Sequence, residues 1–162
     1  DIIRSRAGLE QPADIMVTDS TKIPDSKLEG ISCVLVDEAQ FLSAQVINQL
    51  REIAIHKNIP IICYGLRADF RAHLFDGSRR LFELADTVEE IKTTCAFCNR
   101  KAIMNLKHSN GVATIEGPSV DLGAEEKYFP ACYNCYNEQL KIANSPCLPT
   151  SEQFDLFAAN MK

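Results

Sequence analysis

The stretch ISCVLVDEAQF, residues 31–41, determines the fold class of this chain. It begins with a nearly continuous apolar run of strand length and ends in two adjacent carboxylates, Asp37 and Glu38. A second apolar run, IPIICY, occupies residues 59–64. Short continuous runs of this kind are typical of strands that are covered on both faces, as in a parallel sheet. We therefore expect two buried, parallel strands.

The segment between the two runs has helical periodicity. Ser43 is a suitable N-cap for a helix over residues 43–57. The apolar residues that would share one buried face are Val46, Ile47, Leu50, Ile53 and Ala54. A strand, a helix and a second strand of this size predict a βαβ crossover. Farther along, we expect a strand over residues 87–93, preceded by a helix over residues 78–85 that faces inward through Leu81, Phe82 and Leu84.

Two cysteine pairs, CAFC at residues 95–98 and CYNC at residues 132–135, are separated by 33 residues. Two residues between cysteines let one tight turn present both sulfurs to the same metal. The pattern predicts a tetrahedral zinc site with the ligands Cys95, Cys98, Cys132 and Cys135. A closed site of four sulfurs has no open position for substrate, so the predicted zinc is structural and the chemistry must lie elsewhere.

The chain has seven cysteines in all, and the odd count in a long, core-rich sequence argues against a secreted disulfide scaffold. Cys33 and Cys63 lie within the apolar runs and are expected to be buried core thiols. A reducing, cytoplasmic location fits this cysteine usage.

The bulk composition limits the classes of function. The chain has 162 residues, is 46% hydrophobic and carries a formal net charge of −5. That length suits one domain, or one domain with a small module. The negative charge argues against a nucleic-acid binder that relies on a basic face, and the absence of a long apolar run argues against a membrane span.

Composition changes at Cys95 and divides the predicted layout. We expect an α/β domain over residues 1–93, a zinc module over residues 94–143 and a tail over residues 144–162. Within the zinc module, the triplet SNG at residues 109–111 indicates a hairpin, and a terminal helix is expected over residues 133–143.

The carboxylates that follow the first strand are the first candidate site. Ligands of open α/β sheets bind beyond the carboxyl ends of the strands. An aspartate in the position of Asp37 can hold Mg²⁺, as in a Walker B motif, and Glu38 can accept a proton from an attacking hydroxyl. The alternative is that both acids only begin a solvated loop and assist a helix N-terminus.

The second strand leads into GLRADFRAHLF, residues 65–75. Phe70 and Phe75 lie in a segment too polar for an ordinary core strand, so they could stack on a flat ring, with Leu66 lining the same pocket. The alternative for both is core packing under a loop. Arg67 and Arg71 could meet phosphate, although isolated arginines more often form surface ion pairs.

Together these features resemble the type II, zinc-containing thymidine kinases. The resemblance rests on LVDEAQFL at 35–42, on YGLRADFR at 64–71 with Phe75, on the four cysteines and on the segment from Gly123 to Tyr128. It covers about residues 1–143. It implies an α/β fold with a parallel sheet like that of P-loop kinases, plus a small zinc-ribbon module called the lasso.

The resemblance implies transfer of the ATP γ-phosphoryl group to the 5′-hydroxyl of thymidine or deoxyuridine. Glu38 would be the general base, and Asp37 would bind the Mg²⁺ that accompanies ATP. Phe70 would stack on thymine, and Tyr128 would close over the sugar. The remaining residues implied to contact the nucleoside are Phe41, Leu66, Phe75 and Met104, with backbone groups of Val120, Asp121, Leu122 and Gly123 in the lasso.

One departure from the family concerns the phosphate loop. The sequence lacks G-x-x-x-x-G-K-[ST], whose backbone amides and lysine bind phosphates. We therefore expect that Asp1 is not the natural start and that these 162 residues alone do not phosphorylate thymidine. The family further implies a cytoplasmic homotetramer that is inhibited by thymidine triphosphate and has no nucleic-acid or membrane partner.

Two other classes are alternatives. Nucleic-acid-dependent ATPases of the helicase kind also place DEAQ after an apolar strand, but they need two motor domains. A zinc-ribbon binding module would use the cysteine region as an adaptor for nucleic acid or protein. The acidic composition and the paired carboxylates favour the kinase over both.

Overall fold

The computed structural model describes residues 2–4, 8, 10–117 and 127–143, and their secondary structure is mixed α/β. The three α-helices are α1 (Ala44–Lys57), α2 (Asp76–Leu84) and α3 (Tyr133–Ala143). The strands are β1 (Ile2–Arg4), β2 (Glu10–Pro12), β3 (Val34–Val36), β4 (Ile61–Cys63), β5 (Thr93–Thr94), β6 (Lys101–Ala102), β7 (Met104–Ser109), β8 (Val112–Thr114) and β9 (Lys127–Ala131). Short 3-10 helices lie at Asp25–Lys27 and Ala39–Phe41.

The described residues form two compact units. The first contains those up to Arg67 together with Leu74–Glu89. The second contains Ala68–His73 and the residues from Glu90 onward. The short loop Ala68–His73 therefore packs with the cysteine-containing part of the chain, although it lies within the sequence of the first unit.

A βαβ arrangement organises the first unit, as predicted. Strands β3 and β4 are parallel and in register from Val34 opposite Ile61 to Val36 opposite Cys63. Helix α1 connects them, and the Ser43 hydroxyl caps it by accepting a hydrogen bond from the Val46 amide at 3.4 Å. The buried face of α1 consists of Val46, Ile47, Leu50 and Ile53, so the predicted face is confirmed apart from Ala54, which is half-buried.

The parallel strands are less covered than the sequence suggested. The register partners Leu35 and Ile62 are 66% and 44% exposed, and Cys33 is exposed while Cys63 is half-buried. The prediction of strands covered on both faces, with two buried thiols, is therefore wrong for the described chain. Val34 and Ile61 pack on the small core formed by Leu28, Ile53 and Ile59, so only one face of this strand pair is covered by that core.

Two further expectations in the first half of the chain differ from the structure. The strand expected over residues 87–93 is limited to Thr93–Thr94. Phe82 of α2 was expected to face inward but is 46% exposed. The buried residues of α2 are Gly77 and Ser78, because the first turn of this helix, and not its Phe82 side, packs against the Ala39–Phe41 turn.

An antiparallel sheet of three strands, in the order β8-β7-β9, forms the centre of the second unit. Strands β7 and β8 form the predicted hairpin, and Asn110 and Gly111 at its turn have φ angles of 51° and 78°. Two successive positive φ angles are typical of a type I′ turn. The core of this unit lies around the cysteines and includes Met104, Leu106 and Tyr136. No helix among the described residues is long and apolar enough to span a membrane.

Candidate active site and metal centre

The carboxylates Asp37 and Glu38 lie directly beyond the carboxyl end of β3 and are exposed. Glu38 has a φ of 51°, in the left-handed region that few residues other than glycine adopt. Its amide donates a hydrogen bond of 2.9 Å to Oδ1 of Asp37. The backbone reversal at Glu38 therefore places two carboxylates side by side at the end of a parallel strand, where they can reach a cation and a reacting hydroxyl.

A buried amide, Gln40, holds the second carboxylate. Its side chain is 2% exposed. Nε2 donates to Oε2 of Glu38 at 2.5 Å, and Oε1 accepts a hydrogen bond of 3.0 Å from the Leu66 amide. Gln40 thus joins the carboxylate to the segment after β4. Gln40 lies within the DEAQF motif, but the sequence predicts no role for it, because a glutamine in a loop carries no local sign of burial.

Two glycines allow neighbouring segments to approach this turn closely. A Cβ on Gly65 would lie 2.5 Å from Oε1 of Gln40. A Cβ on Gly77 would lie 2.6–2.7 Å from the carbonyl oxygens of Ala39, Gln40 and Leu42. Real Cβ atoms do not come this near to oxygen. Gly77 faces backbone carbonyls and therefore requires glycine, whereas a Cβ at Gly65 would displace the side chain of Gln40.

The apolar candidates of the first unit surround the same turn. The rings of Phe41 and Phe75 meet edge to face, with centroids 5.5 Å apart and an interplanar angle of 81°. Phe41 and Leu66 remain 48% and 46% exposed. Leu66 is fixed through its backbone, since its carbonyl also accepts a hydrogen bond of 2.6 Å from Ser78 Oγ. Partly exposed apolar side chains beside carboxylates can line a binding pocket.

The four predicted metal ligands converge in the second unit. The Sγ atoms of Cys95, Cys98, Cys132 and Cys135 all lie within 4.8 Å of one another. Sγ of Cys98 is 3.7 Å from Sγ of Cys132, far beyond a disulfide bond but close to the ~3.8 Å sulfur–sulfur edge of a tetrahedral Zn–S₄ centre with Zn–S bonds of about 2.3 Å. The donor set and its spacing therefore fit a zinc ion.

Hydrogen bonds and burial shift the pKa values of Cys95 and Cys135 in opposite directions. Burial raises the pKa of the Cys95 thiol, but backbone hydrogen bonds from Cys132, Phe97 and Cys98 lower it by more, to about 7. Burial and the neighbouring thiols raise the pKa of Cys135 well above its ordinary value. One thiolate thus forms readily while another is suppressed, and a divalent cation at the centre would favour deprotonation of both.

Phe70 lies inside the second unit and is 1% exposed. Its ring centroid is 6.3 Å from that of Tyr128, with an interplanar angle of 54°. The guanidinium carbon of Arg71 is 5.0 Å from the Phe70 centroid, and Nζ of Lys107 is 4.9 Å from it. The structure therefore brings the rings of Phe70 and Tyr128 together and places two cations near the Phe70 ring, while the roles of both rings in nucleoside binding stay predictions.

The structure describes Met104 but not the four lasso residues that are predicted to contact the nucleoside. Met104 is 9% exposed and belongs to the core around the cysteines, so its contact with a base stays a prediction. Val120, Asp121, Leu122 and Gly123 lie outside the described residues, as does the tail over 144–162.

His108 is a buried residue that the sequence did not single out. Its ring contacts Phe129 edge to face, with centroids 4.9 Å apart, and stacks on Phe97. Burial lowers its pKa below the usual 6.5, and a backbone hydrogen bond with Gly111 opposes that shift. Its Nε2 has no hydrogen-bond partner among the described residues.

Comparison with known proteins identifies the family. The family model described as thymidine kinase matches residues 1–136. This chain belongs to the thymidine kinase family. The thymidine kinase of Encephalitozoon cuniculi (strain GB-M1) is 41% identical over 141 residues, which cover 85% of this chain and 66% of the relative.

Bacterial members of the thymidine kinase family give a similar result. That of Lactiplantibacillus plantarum (strain ATCC BAA-793 / NCIMB 8826 / WCFS1) is 40% identical over 136 residues, or 83% of this chain and 71% of the relative. That of Escherichia coli O157:H7 is 38% identical over 158 residues, or 94% of this chain and 77% of the relative. The chain thus spans between 66% and 77% of the length of these three thymidine kinases. Their names favour a kinase over the helicase-type ATPase and the zinc-ribbon adaptor.

Proposed function

We propose that the protein carrying this sequence transfers the γ-phosphoryl group of ATP to the 5′-hydroxyl of thymidine or deoxyuridine. The observation that supports this most strongly is the family match over residues 1–136, which spans both the carboxylate turn and all four clustered cysteines. The paired carboxylates at the end of a parallel strand supply chemistry suited to that reaction.

In the proposed reaction, Glu38 accepts the proton of the nucleoside 5′-hydroxyl. The freed oxygen forms a bond to the γ-phosphorus, the bond between that phosphorus and the β,γ-bridging oxygen breaks, and ADP leaves with the electron pair. Asp37 would hold the Mg²⁺ that accompanies ATP, and the chemistry supplied there would be neutralisation of phosphate charge. Gln40 supports the role of Glu38 by fixing one carboxylate oxygen, Oε2, so that the other can take the proton.

The nucleoside contacts are part of the same proposal. Phe41, Leu66 and Phe75 wall the pocket, Tyr128 covers the sugar, and Phe70 stacks on the base. Because Arg71 and Lys107 lie close to the buried Phe70 ring, stacking requires one of these cations to move aside. A cation–π contact is worth about 0.5–2 kcal/mol, so base stacking can compete with it.

Zinc in the four-cysteine site would be structural, because all four positions of the tetrahedron are filled by sulfur. The ion would hold the turn at Cys95 and Cys98 against the start of α3. We also propose a cytoplasmic location, where thiolate ligands stay reduced, together with the tetrameric assembly and thymidine triphosphate inhibition implied by the family. We also propose the domain limits expected from the sequence, with an α/β domain over residues 1–93 and a zinc module over residues 94–143.

The test is a phosphoryl-transfer assay on the protein that carries this sequence. Radiolabelled ATP, Mg²⁺ and one nucleoside at a time are incubated with the enzyme, and labelled nucleoside monophosphate is quantified. We expect product from thymidine and deoxyuridine and little from deoxycytidine. ATP hydrolysis that depends on added oligonucleotide, without nucleoside phosphorylation, would support the helicase-type alternative instead.

A further inference from the structure

The loop Ala68–His73, which carries Phe70, is held by hydrogen bonds to three other parts of the second unit. Nδ2 of Asn105 on β7 donates to the Ala68 carbonyl at 2.9 Å. The Tyr136 hydroxyl on α3 donates to the Phe70 carbonyl at 2.6 Å. In the opposite direction, Nε of Arg71 donates to the Ile115 carbonyl, just after β8, at 3.1 Å.

Hydrogen bonds within the loop also restrict its backbone. Oδ1 of Asp69 accepts hydrogen bonds of 2.9 Å from the amides of both Arg71 and His73. The Asp69 amide donates to the His73 carbonyl at 2.9 Å, and Ala72 takes a φ of 65° to close the turn. These hydrogen bonds restrict the backbone of the loop, so we expect a shift of the Phe70 carbonyl to shift the Phe70 ring as well.

Tyr136 connects this loop to the metal ligands. It directly follows Cys135, it is 6% exposed, and its amide donates to the carbonyl of Cys132 at 2.9 Å. Its aromatic body belongs to the same core as Cys95, Cys132 and Met104. The position of the hydroxyl thus depends on how the start of α3 is held, and two of the four predicted ligands hold that start.

We propose that Tyr136 is a positioning residue that couples the four-cysteine site to Phe70, so that occupancy of the metal site sets the orientation of the Phe70 ring. The consequence for nucleoside binding rests on the proposed function, in which Phe70 stacks on the base. The metal would then act on the nucleoside by two routes, one through the lasso and one through the hydroxyl of Tyr136.

The hydroxyl can be removed with little change of shape. Tyr136→Phe keeps the ring in the core but leaves the Phe70 carbonyl without this donor. Tyr133→Phe is the matched control, since Tyr133 lies on the first turn of the same helix and is 60% exposed. The zinc content of both variants should equal that of the unaltered chain, because no sulfur ligand is touched.

Two readouts separate positioning from general stability. The first is the Kd of thymidine by isothermal titration calorimetry, where we expect roughly threefold to tenfold weaker binding for Tyr136→Phe and no change for Tyr133→Phe. The second is the NMR signal of the Phe70 ring in protein labelled at phenylalanine. That signal should shift on removal of zinc from the unaltered chain, and it should shift less in Tyr136→Phe.

The decisive comparison is a cycle of metal removal and mutation. If Tyr136 carries part of the coupling, loss of zinc weakens thymidine binding by a smaller factor in Tyr136→Phe than in the unaltered chain. The proposal would be overturned if loss of zinc weakened thymidine binding by the same factor in both proteins and shifted the Phe70 signal as much in Tyr136→Phe as in the unaltered chain. If the zinc-loaded, unaltered chain binds no thymidine, the proposed function fails, and the Phe70 signal alone then decides whether the tether exists.

Discussion

Nε2 of Gln40 lies 2.5 Å from Oε2 of Glu38, and the same buried amide accepts a hydrogen bond from the Leu66 backbone at 3.0 Å. The orientation of the Glu38 carboxylate is therefore fixed by a residue that is itself anchored outside the turn. A proton acceptor held in this way spends less of its time in unproductive rotamers, which is the physical basis of preorganisation in catalysis.

Replacing Gln40 by methionine tests this arrangement. Gln40→Met keeps the length of the side chain but removes both hydrogen bonds, so we expect kcat for thymidine phosphorylation to fall roughly tenfold to a hundredfold. The KM for thymidine should change much less. Steady-state kinetics with thymidine and Mg–ATP measure both constants.

Gln49→Met is the matched control for that variant. Gln49 also bridges two backbone groups, accepting from the Ile23 amide at 2.6 Å and donating to the Thr21 carbonyl at 3.1 Å. The variant Gln49→Met should lower the melting temperature as Gln40→Met does, while leaving kcat nearly unchanged. An equal loss of kcat in both variants would mean that Gln40 acts only through stability.

Glu38→Gln tests the proposed general base. The substitution preserves size and removes the proton acceptor, so kcat should fall by about 10²–10⁴-fold while the Kd of thymidine stays within about twofold. Glu52→Gln, at an exposed glutamate of α1 paired with His56, is the control and should keep full activity. An unchanged kcat in Glu38→Gln would refute the assigned role.

Features governed by local sequence could be predicted well. Helix α1, its cap at Ser43 and the turn at Asn110 and Gly111 follow from short-range patterns that hold in any context. The cysteine spacing likewise predicted four converging sulfurs, because a C-x2-C turn presents both thiols in one direction.

Features governed by contacts between residues distant in sequence could not be predicted. The apolar run at 31–36 indicates a strand, but the exposure of Leu35 and Cys33 depends on what covers the sheet. The hydrogen bonds of Gln40 and Tyr136 depend on side chains meeting segments 26 and 66 residues away. No local pattern encodes such pairings, so these two contacts are visible only in the structure.

Loss of one metal ligand should destabilise the second unit. We expect Cys98→Ser to bind zinc weakly and to lower the melting temperature by roughly 10 °C, because structural zinc contributes directly to folding free energy. Cys33→Ser, at an exposed cysteine outside the cluster, should retain one zinc per chain and the original melting temperature. Zinc content by atomic absorption and thermal unfolding check the pair, and retention of full zinc by Cys98→Ser would contradict the four-sulfur site.

His108 predicts a pH dependence of stability. Burial lowers the pKa of its imidazole from the usual 6.5, so the unfolded chain takes up a proton at a higher pH than the folded chain does. The contribution of His108 is therefore fully present above pH 6.5, and it is lost as the pH falls from 6.5 toward the folded pKa.

The variant His108→Phe isolates that contribution, since release of metal at low pH is common to both proteins. The free energy of unfolding, measured by urea denaturation between pH 8 and pH 5, should fall more steeply for the unaltered chain below pH 6.5. His56→Gln, at an exposed histidine, should follow the unaltered chain. Parallel curves for His108→Phe and the unaltered chain would contradict the prediction.

The most direct test of the central claim, that this chain recognises a nucleoside as a member of the thymidine kinase family, is the melting temperature of the zinc-loaded 162-residue chain with and without thymidine. Saturating thymidine, at about 100 times its Kd, should stabilise the fold by about 2.7 kcal/mol and raise the melting temperature by roughly 5–10 °C. A single-stranded oligonucleotide should cause no shift. A rise with the oligonucleotide and none with thymidine would contradict the account.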